Sequence, residues 1–315
     1  MAKRISIGTW VFATGPHADR AEPFGTVCDR VKALKFDGVE LAALAPNPNA
    51  SNPDGSDADW PWALADAGRR AEIRARMTEE GLAFSAVVAN LRGEKLINTD
   101  DPSPYIAAFQ RNAAFARDLG IPMLRIDCVQ PPTVHREVSY RTAMERVART
   151  WQTCCDIAAD HGLQVTWEFE PCFAFNKPTD LLRIHDAVDK ANFGLLYDTA
   201  HGQMVGVNGA RQEGLKEVCP SQIEFLHALR GRINHVHLSD SDDTCQKDAS
   251  GRDINSTRLP LGEGVLNFSR IMPALIKACR PGVQWWTIDL QSVPDAWAAA
   301  EVCKRRIDAL NTRFD

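Results

Sequence analysis

Gln164-Val-Thr-Trp-Glu-Phe-Glu-Pro171 and Phe193-Gly-Leu-Leu-Tyr-Asp-Thr-Ala-His201 bracket the stretch, residues 164–201, that decides the fold. Each segment is a short apolar run that reaches a carboxylate near its C-terminal end. Between them Thr179 is placed to cap a helix in which Leu182, His185, Val188 and Asp189 alternate apolar and polar by turn. Strand, helix and strand in this order make a crossover unit, which joins parallel strands.

The same rhythm extends in both directions. Eight strand-like runs are legible: Ile5–Trp10, Gly38–Ala43, Ala83–Ala89, Met123–Cys128, Val165–Phe169, Phe193–Asp198, Ile233–Leu238 and Val283–Leu290. Before the fifth, the segment from Tyr140 to Ala159 places Met144, Val147, Trp151, Cys154 and Ala158 at helical steps, with Gly162 as the stop. Eight strands alternating with helices imply a parallel sheet, and closure into an α/β (β/α)8 TIM barrel is the commonest way to bury them. At 315 residues the chain suits one such barrel with insertions, read as a single domain over 1–315. No internal repeat beyond this alternation is visible.

Two stretches break the rhythm. One, at about residues 44–65, carries Ala45-Pro-Asn-Pro-Asn-Ala-Ser-Asn-Pro-Asp-Gly-Ser-Asp-Ala-Asp-Trp-Pro-Trp62; the other, residues 239–264, is rich in Asp, Ser and Gly. Both follow strands, at the barrel end where connecting loops build active sites, and are read as substrate lids.

Composition excludes several classes. A formal net charge of −5 offers no basic patch for a phosphate backbone, so no nucleic-acid partner is expected. No apolar run reaches membrane-spanning length and no signal-peptide stretch follows the N-terminus. The nine cysteines are scattered and contain no C-x-x-C pair, which fits reduced thiols and a cytoplasmic location. A homo-oligomer is left open.

Side chains alternate across a strand, so Glu168 and Glu170 share a face, as do His235 and His237, and Thr287 and Asp289. Glu168, Asp198, His237 and Asp289 lie near the ends of four consecutive runs. Three carboxylates and an imidazole, with no thiolate, suit a hard or borderline divalent cation, Mn2+ or Mg2+ first, with Co2+ or Zn2+ also accommodated. Taken singly, each acid is equally well a solvated cap or an ion-pair partner.

The motifs Trp167-Glu-Phe-Glu-Pro171, Gly194-Leu-Leu-Tyr-Asp-Thr-Ala-His201, His235-Val-His-Leu-Ser-Asp240, Leu261-Gly-Glu-Gly264 and Thr287-Ile-Asp-Leu290, in this order and spacing, resemble the xylose isomerase-like barrels. That group includes ketose 3-epimerases, inosose isomerases and dehydratases and, more distantly, endonuclease IV. The resemblance spans essentially the whole chain. It implies that Glu168, Asp198, His237 and Asp289 ligate one divalent metal, that His201 holds substrate oxygens, and that His235 either does the same or packs. Relatives usually carry Glu on the last strand, where it doubles as a base. Asp289 is one methylene shorter, a retreat of roughly 1.5 Å, which puts its role as base in question.

The implied chemistry is proton abstraction next to a sugar carbonyl, with the cation stabilising the enediolate. Return of the proton from the other face epimerises, moving it along isomerises, and loss of a β-oxygen makes a lyase or dehydratase. Glu168, Asp289, His201 and Glu170 are the candidate catalytic groups, and His201, His235, Trp10 and Arg125 the candidate substrate contacts. Glu170 is either a second base or the partner of a cation. Arg125 and Asp127 share a face, free to pair or to reach substrate. Trp10, Trp60 and Trp62 are stacking candidates as well as ordinary large apolar residues. Lys247, Arg252 and Arg258 suit an anionic substrate group or a solvated loop equally. A phosphodiesterase in the manner of endonuclease IV would need more metals and more histidines than the eight here, of which His17, His135, His161, His185 and His227 fall on loops or helices.

Overall fold

The computed structural model describes residues 2–19, 21–43 and 66–314. Its barrel strands are β1 (Arg4–Gly8), β2 (Gly38–Ala42), β3 (Ala83–Val88), β4 (Met123–Ile126), β5 (Gln164–Glu168), β6 (Phe193–Asp198) and β7 (Ile233–Leu238). A hairpin of β8 (Cys245–Lys247) and β9 (Asp253–Ser256) follows, and β10 (Trp285–Ile288) completes the barrel. The strands close in the order β1-β10-β7-β6-β5-β4-β3-β2, every pairing parallel, so the chain forms a (β/α)8 barrel. The helices are α1 (Phe24–Ala33), α2 (Ala67–Glu80), α3 (Ser103–Leu119), α4 (Tyr140–Asp160), α5 (Pro178–Val188), the single turn α6 (Thr199–His201), α7 (Gln222–Ala228), α8 (Phe268–Ala278) and α9 (Ala296–Phe314). No helix among the described residues is long and apolar enough to cross a membrane.

Alternation within each strand separates the two sides of the barrel wall. Trp167 turns outward, its ring 5.2 Å from that of Trp151 on α4, while its neighbour Glu168 turns inward. Trp151 in turn donates its indole N–H to Tyr105 on α3 at 3.1 Å. Outward Tyr197 packs near Phe169 and Phe225, and inward Asp198 follows it. Because both faces are covered, the strands are buried almost end to end, which is why they read as apolar runs rather than as half-polar ones.

Two local expectations change, and one gains detail. Trp10 is not in the first strand but in a 3-10 turn, Thr9–Phe12, directly after β1. Helix α5 begins at Pro178, not at a Thr179 cap. Proline at the first helical position fixes the entry φ, and the Asp180 carboxylate accepts the Lys177 N–H at 3.1 Å, while Thr179 N–H and hydroxyl both donate to Glu217. The stretch 239–264, read as a polar lid, contains the β8–β9 hairpin. The other candidate lid, with Trp60 and Trp62, lies outside the described residues.

Asp240, fully buried, organises the loop after β7. Its Oδ1 accepts the N–H groups of Ser241 (2.9 Å) and Leu266 (3.0 Å), and its Oδ2 that of Gly262 (2.7 Å). A Cβ on Gly264 would run into this carboxylate and the Ser241 carbonyl, so the Leu261-Gly-Glu-Gly264 motif serves a close backbone approach. Asp240→Ala leaves three backbone donors without an acceptor. It is expected to lower unfolding free energy by about 2–4 kcal/mol, read as a shift in the urea midpoint at unchanged slope.

Candidate metal centre and active site

Four strand ends converge inside the barrel mouth. Glu168 and Asp198 are the last residues of β5 and β6, His237 sits one residue from the end of β7, and Asp289 directly follows β10. Strand register holds them level: Asp198 and Thr287 are each paired with His237. One ligand-type atom from each of Glu168, Asp198, His237 and Asp289 lies within 4.8 Å of every other, and all four residues are buried.

The remaining atoms of these side chains are already committed, which aims the free ones. Asp198 Oδ1 caps α6, accepting from the N–H groups of Ala200 (2.7 Å) and His201 (3.0 Å), and Ser239 Oγ donates to it at 3.1 Å. Asp289 Oδ1 accepts from Trp10 Nε1 (2.9 Å) and Gln291 N–H (3.0 Å). Both Glu168 oxygens, His237 Nδ1 and Asp289 Oδ2 make no well-directed hydrogen bond and meet only charged neighbours: Glu168 pairs with Arg125, His237 Nδ1 lies 3.2 Å from Glu168 Oε1, and Asp289 Oδ2 lies 3.0 Å from Arg258 Nε. Buried carboxylates gathered around one point are costly unless positive charge joins them. The donor set, oxygen with one imidazole nitrogen, fits a divalent cation.

Two buried guanidinia flank this centre. Arg125 pairs with Glu168, with Glu170 Oε1 at 3.0 Å, and bidentately with Asp127 at 3.0 Å on each arm. Arg258 enters from the residues after β9. Its Nε lies 3.0 Å from Asp289 Oδ2 and 3.7 Å from Asp198 Oδ2, and its Nη2 donates to His201 Nε2 at 2.8 Å. Since His201 Nε2 accepts, its Nδ1 carries the proton and donates to Ser256 Oγ at 2.8 Å. The hairpin loop therefore supplies both neighbours of His201.

Below the centre, Glu40 on β2 is fully buried. Its Oε2 lies 2.6 Å from His235 Nε2, and both of its oxygens lie 3.1 Å from His237 Nε2. His235 is thus turned toward Glu40, with Thr287 Oγ1 at 3.4 Å, on the closed side of the centre.

Electrostatics follow from burial and these partners. Burial pushes the Glu170 carboxyl up to about 7, reinforced by the Glu168 charge and opposed by Arg125. Asp198 is raised to about 6 by burial, which outweighs Arg258 and is helped by Asp289 and Glu168. Burial would raise Glu168 too, but Arg125 and His237 hold it well below the usual carboxylate range. Burial, then the Arg258 charge, lower His201 far below the ordinary imidazole value, in keeping with its role as acceptor. Burial disfavours charge on His237, yet Glu40 and Glu168 overcome it and favour positive charge there. A field that draws a proton to that nitrogen draws a divalent cation to the same place.

Of the residues singled out in the sequence, the structure brings Glu168, Glu170, Asp198, His201, His237, Asp289, Arg125 and Trp10 to one centre. Lys247 and Arg252 stay on the exposed hairpin, paired with Asp253 and Asp248, whereas Arg258 is buried in the site. Glu40 was missed, although a lone acid inside Gly38-Val-Glu-Leu-Ala42 signals a buried charge that must find partners. Ser256 and Gln291 carried no such signal.

Residues 28–285 match the model of the xylose isomerase-like TIM barrel family, and the chain belongs to it. Comparison with curated proteins found no match. Among solved structures, a D-tagatose 3-epimerase-like protein superposes with a TM-score of 0.70 at 16% identity, covering 99% of this chain and 100% of that one. The IOLI protein with a bound zinc atom gives 0.71 at 14% identity over 99% of each chain. The probable 3-DHS dehydratase AsbF from Bacillus anthracis gives 0.68 at 16% identity over 98% of this chain and 99% of that one.

Proposed function

We propose that this chain is a divalent-metal-dependent sugar isomerase or epimerase that abstracts a proton next to a carbonyl. The observation that carries this is the convergence of Glu168, Asp198, His237 and Asp289 from four strands, with one ligand-type atom of each within 4.8 Å of every other and all four residues buried. Those four residues would hold the ion, Mn2+ or Mg2+ by the predominance of carboxylates. Bound there, a divalent cation supplies Lewis-acid stabilisation of the enediolate.

The chain's own groups do the rest. Arg258 and neutral His201 form a fixed pair beside the centre, where guanidinium N–H groups orient a substrate oxygen. Glu170, with a carboxylate oxygen within 4.8 Å of ligand-type atoms of Glu168 and His201, takes and returns the proton in this reading. Trp10 keeps Asp289 in place through its indole N–H and closes the wall beside His237, its ring centroid 5.7 Å from the imidazole. The substrate is a small keto-sugar, and nine free cysteines suit a reducing compartment, so we place the enzyme in the cytoplasm.

A lyase or dehydratase is the second reading, favoured by one asymmetry. Asp289 has both oxygens engaged, two donors on one and Arg258 beside the other, while Glu170 Oε2 meets only the Cys172 thiol, at 3.6 Å. Elimination can run through one group that takes the α-proton and hands it to the departing oxygen, released as water or an alcohol, whereas epimerisation uses a proton carrier on each face. Incubating the Mn2+-loaded protein in D2O with a panel of ketoses and 3-keto-glycosides separates the readings. Deuterium next to the carbonyl in recovered sugar or its epimer supports the first, and release of water or aglycone the second. Failure of every member to exchange or eliminate would sink both.

A further inference from the structure

Glu40 is the only charged residue of β2, and it reaches through the barrel interior, past β1 and β10, to two histidines on β7. The contacts are specific. His235 Nε2 lies 2.6 Å from Oε2, and His237 Nε2 lies 3.1 Å from both oxygens. A carboxylate only accepts, so both imidazoles present Nε2–H to it. That leaves His237 one further nitrogen. Nδ1 has no hydrogen-bond partner and lies 3.2 Å from Glu168 Oε1 and 3.9 Å from Asp289 Oδ2, inside the carboxylate cluster.

We infer that Glu40 is the positioning residue of the metal centre: by holding Nε2–H of His237 it fixes the ring and its tautomer, so that the Nδ1 lone pair is the ligand. An imidazole that donates to a carboxylate on one side is a stronger donor on the other, and its ring cannot swing out of the coordination direction. His235 is the second anchor of Glu40. Its shorter contact sets the carboxylate's height, and Thr287 Oγ1, which pairs with Ser6 Oγ at 2.7 Å, stands behind it. His235 thereby supports Glu40 and does not face a substrate.

Glu40, His235 and His237 also contain ligand-type atoms within 4.8 Å of one another, the spacing of an ion site of their own. Distance argues against that. Two donors around one cation with bonds of about 2.1 Å stand roughly 3 Å apart, whereas His235 Nε2 and Glu40 Oε2 are 2.6 Å apart, a direct hydrogen bond.

The inference rests on His237 being a metal ligand, and two measurements test it with Zn2+ alone as the probe. In Zn2+-loaded wild-type protein labelled with 15N-histidine, His237 should show a metal-bound Nδ1 and a slowly exchanging Nε2–H. Zinc on Nε2 with the proton on Nδ1 overturns the role of Glu40 while leaving the ligand assignment intact. In Glu40→Gln, shown to be folded by circular dichroism and its melting transition, Zn2+ affinity measured by chelator competition should fall about 10–100-fold. An affinity within threefold of wild type overturns the inference. So does a second zinc equivalent in wild type that Glu40→Gln loses, which would make the trio an ion site. If Glu40→Gln does not fold, the wild-type spectrum alone decides. Wild type that takes up no zinc removes the ligand reading, and the role of Glu40 with it.

Discussion

Replacing His237 with Ala or Asp198 with Asn is expected to empty the metal centre. The wild-type chain, purified in the presence of Mn2+, should carry about one ion per chain by elemental analysis. Loss of partners that merely orient a ligand weakens binding by about 10–100-fold, and loss of a ligand itself should exceed that, taking bound metal below about a tenth of an equivalent after dialysis. Asp198→Asn is the cleaner variant. Its amide oxygen can still cap α6 as Oδ1 does now, so the charge on the cation-facing side is removed with the local backbone left in place. His237→Ala also strands Glu40 and Glu168, which meet His237 at 3.1 and 3.2 Å, so its stability must be followed alongside. His201→Ala makes the contrast, because His201 is held by Arg258 and Ser256 and its Nε2 is 4.0 Å from the nearest Glu168 oxygen. That variant should lose turnover and keep its metal. Retention of wild-type metal by both Asp198→Asn and His237→Ala would mean the ion, if any, binds elsewhere.

The difference between what the sequence revealed and what it hid is one of range. Strand ends such as Tyr197-Asp198 and Val236-His237 were legible because a two-residue period and an apolar run are local properties, and a barrel places every strand's C-terminal end at one rim. Glu40 was not legible, since its partners lie 195 and 197 residues away and nothing within Gly38–Ala42 says which strand it will meet across the barrel. Arg258 was ambiguous for a related reason. On a stretch rich in Asp, Ser and Gly a cation reads as solvated, and only the hairpin's path, with Ser256 against His201, carries the guanidinium inward. Thr179 misled because a hydroxyl before a helix is a good cap in general, while Pro178 one residue earlier had already set the helix start.

Among the carboxylates, Glu170→Gln is expected to stop proton exchange with metal retained, and Asp289→Asn to weaken metal while sparing exchange once metal is supplied in excess. Asp289 Oδ1 already accepts two hydrogen bonds, and Oδ2 lies 3.0 Å from Arg258 Nε, so neither oxygen is free to receive a proton from carbon. Its amide would keep the Trp10 contact through the same oxygen but lose the negative charge beside Arg258. Glu170 is not among the four proposed ligands and has one oxygen on Arg125 and the other against only a weak thiol donor. Gln at 170 keeps the shape and cannot accept the proton, so exchange should fall by about 10²–10⁴. Asp289→Glu adds the methylene that relatives carry. If Asp289 is a ligand only, the longer side chain crowds Arg258 and the centre, and activity drops. Should Asp289→Glu instead raise exchange above wild type, the last-strand carboxylate is a base after all, and the one-sided geometry argued for elimination loses its support. Deuterium exchange at the substrate carbon, measured beside metal occupancy for each variant, decides: full exchange in Glu170→Gln would remove Glu170 from the chemistry and return the proton to Glu168 or Asp289.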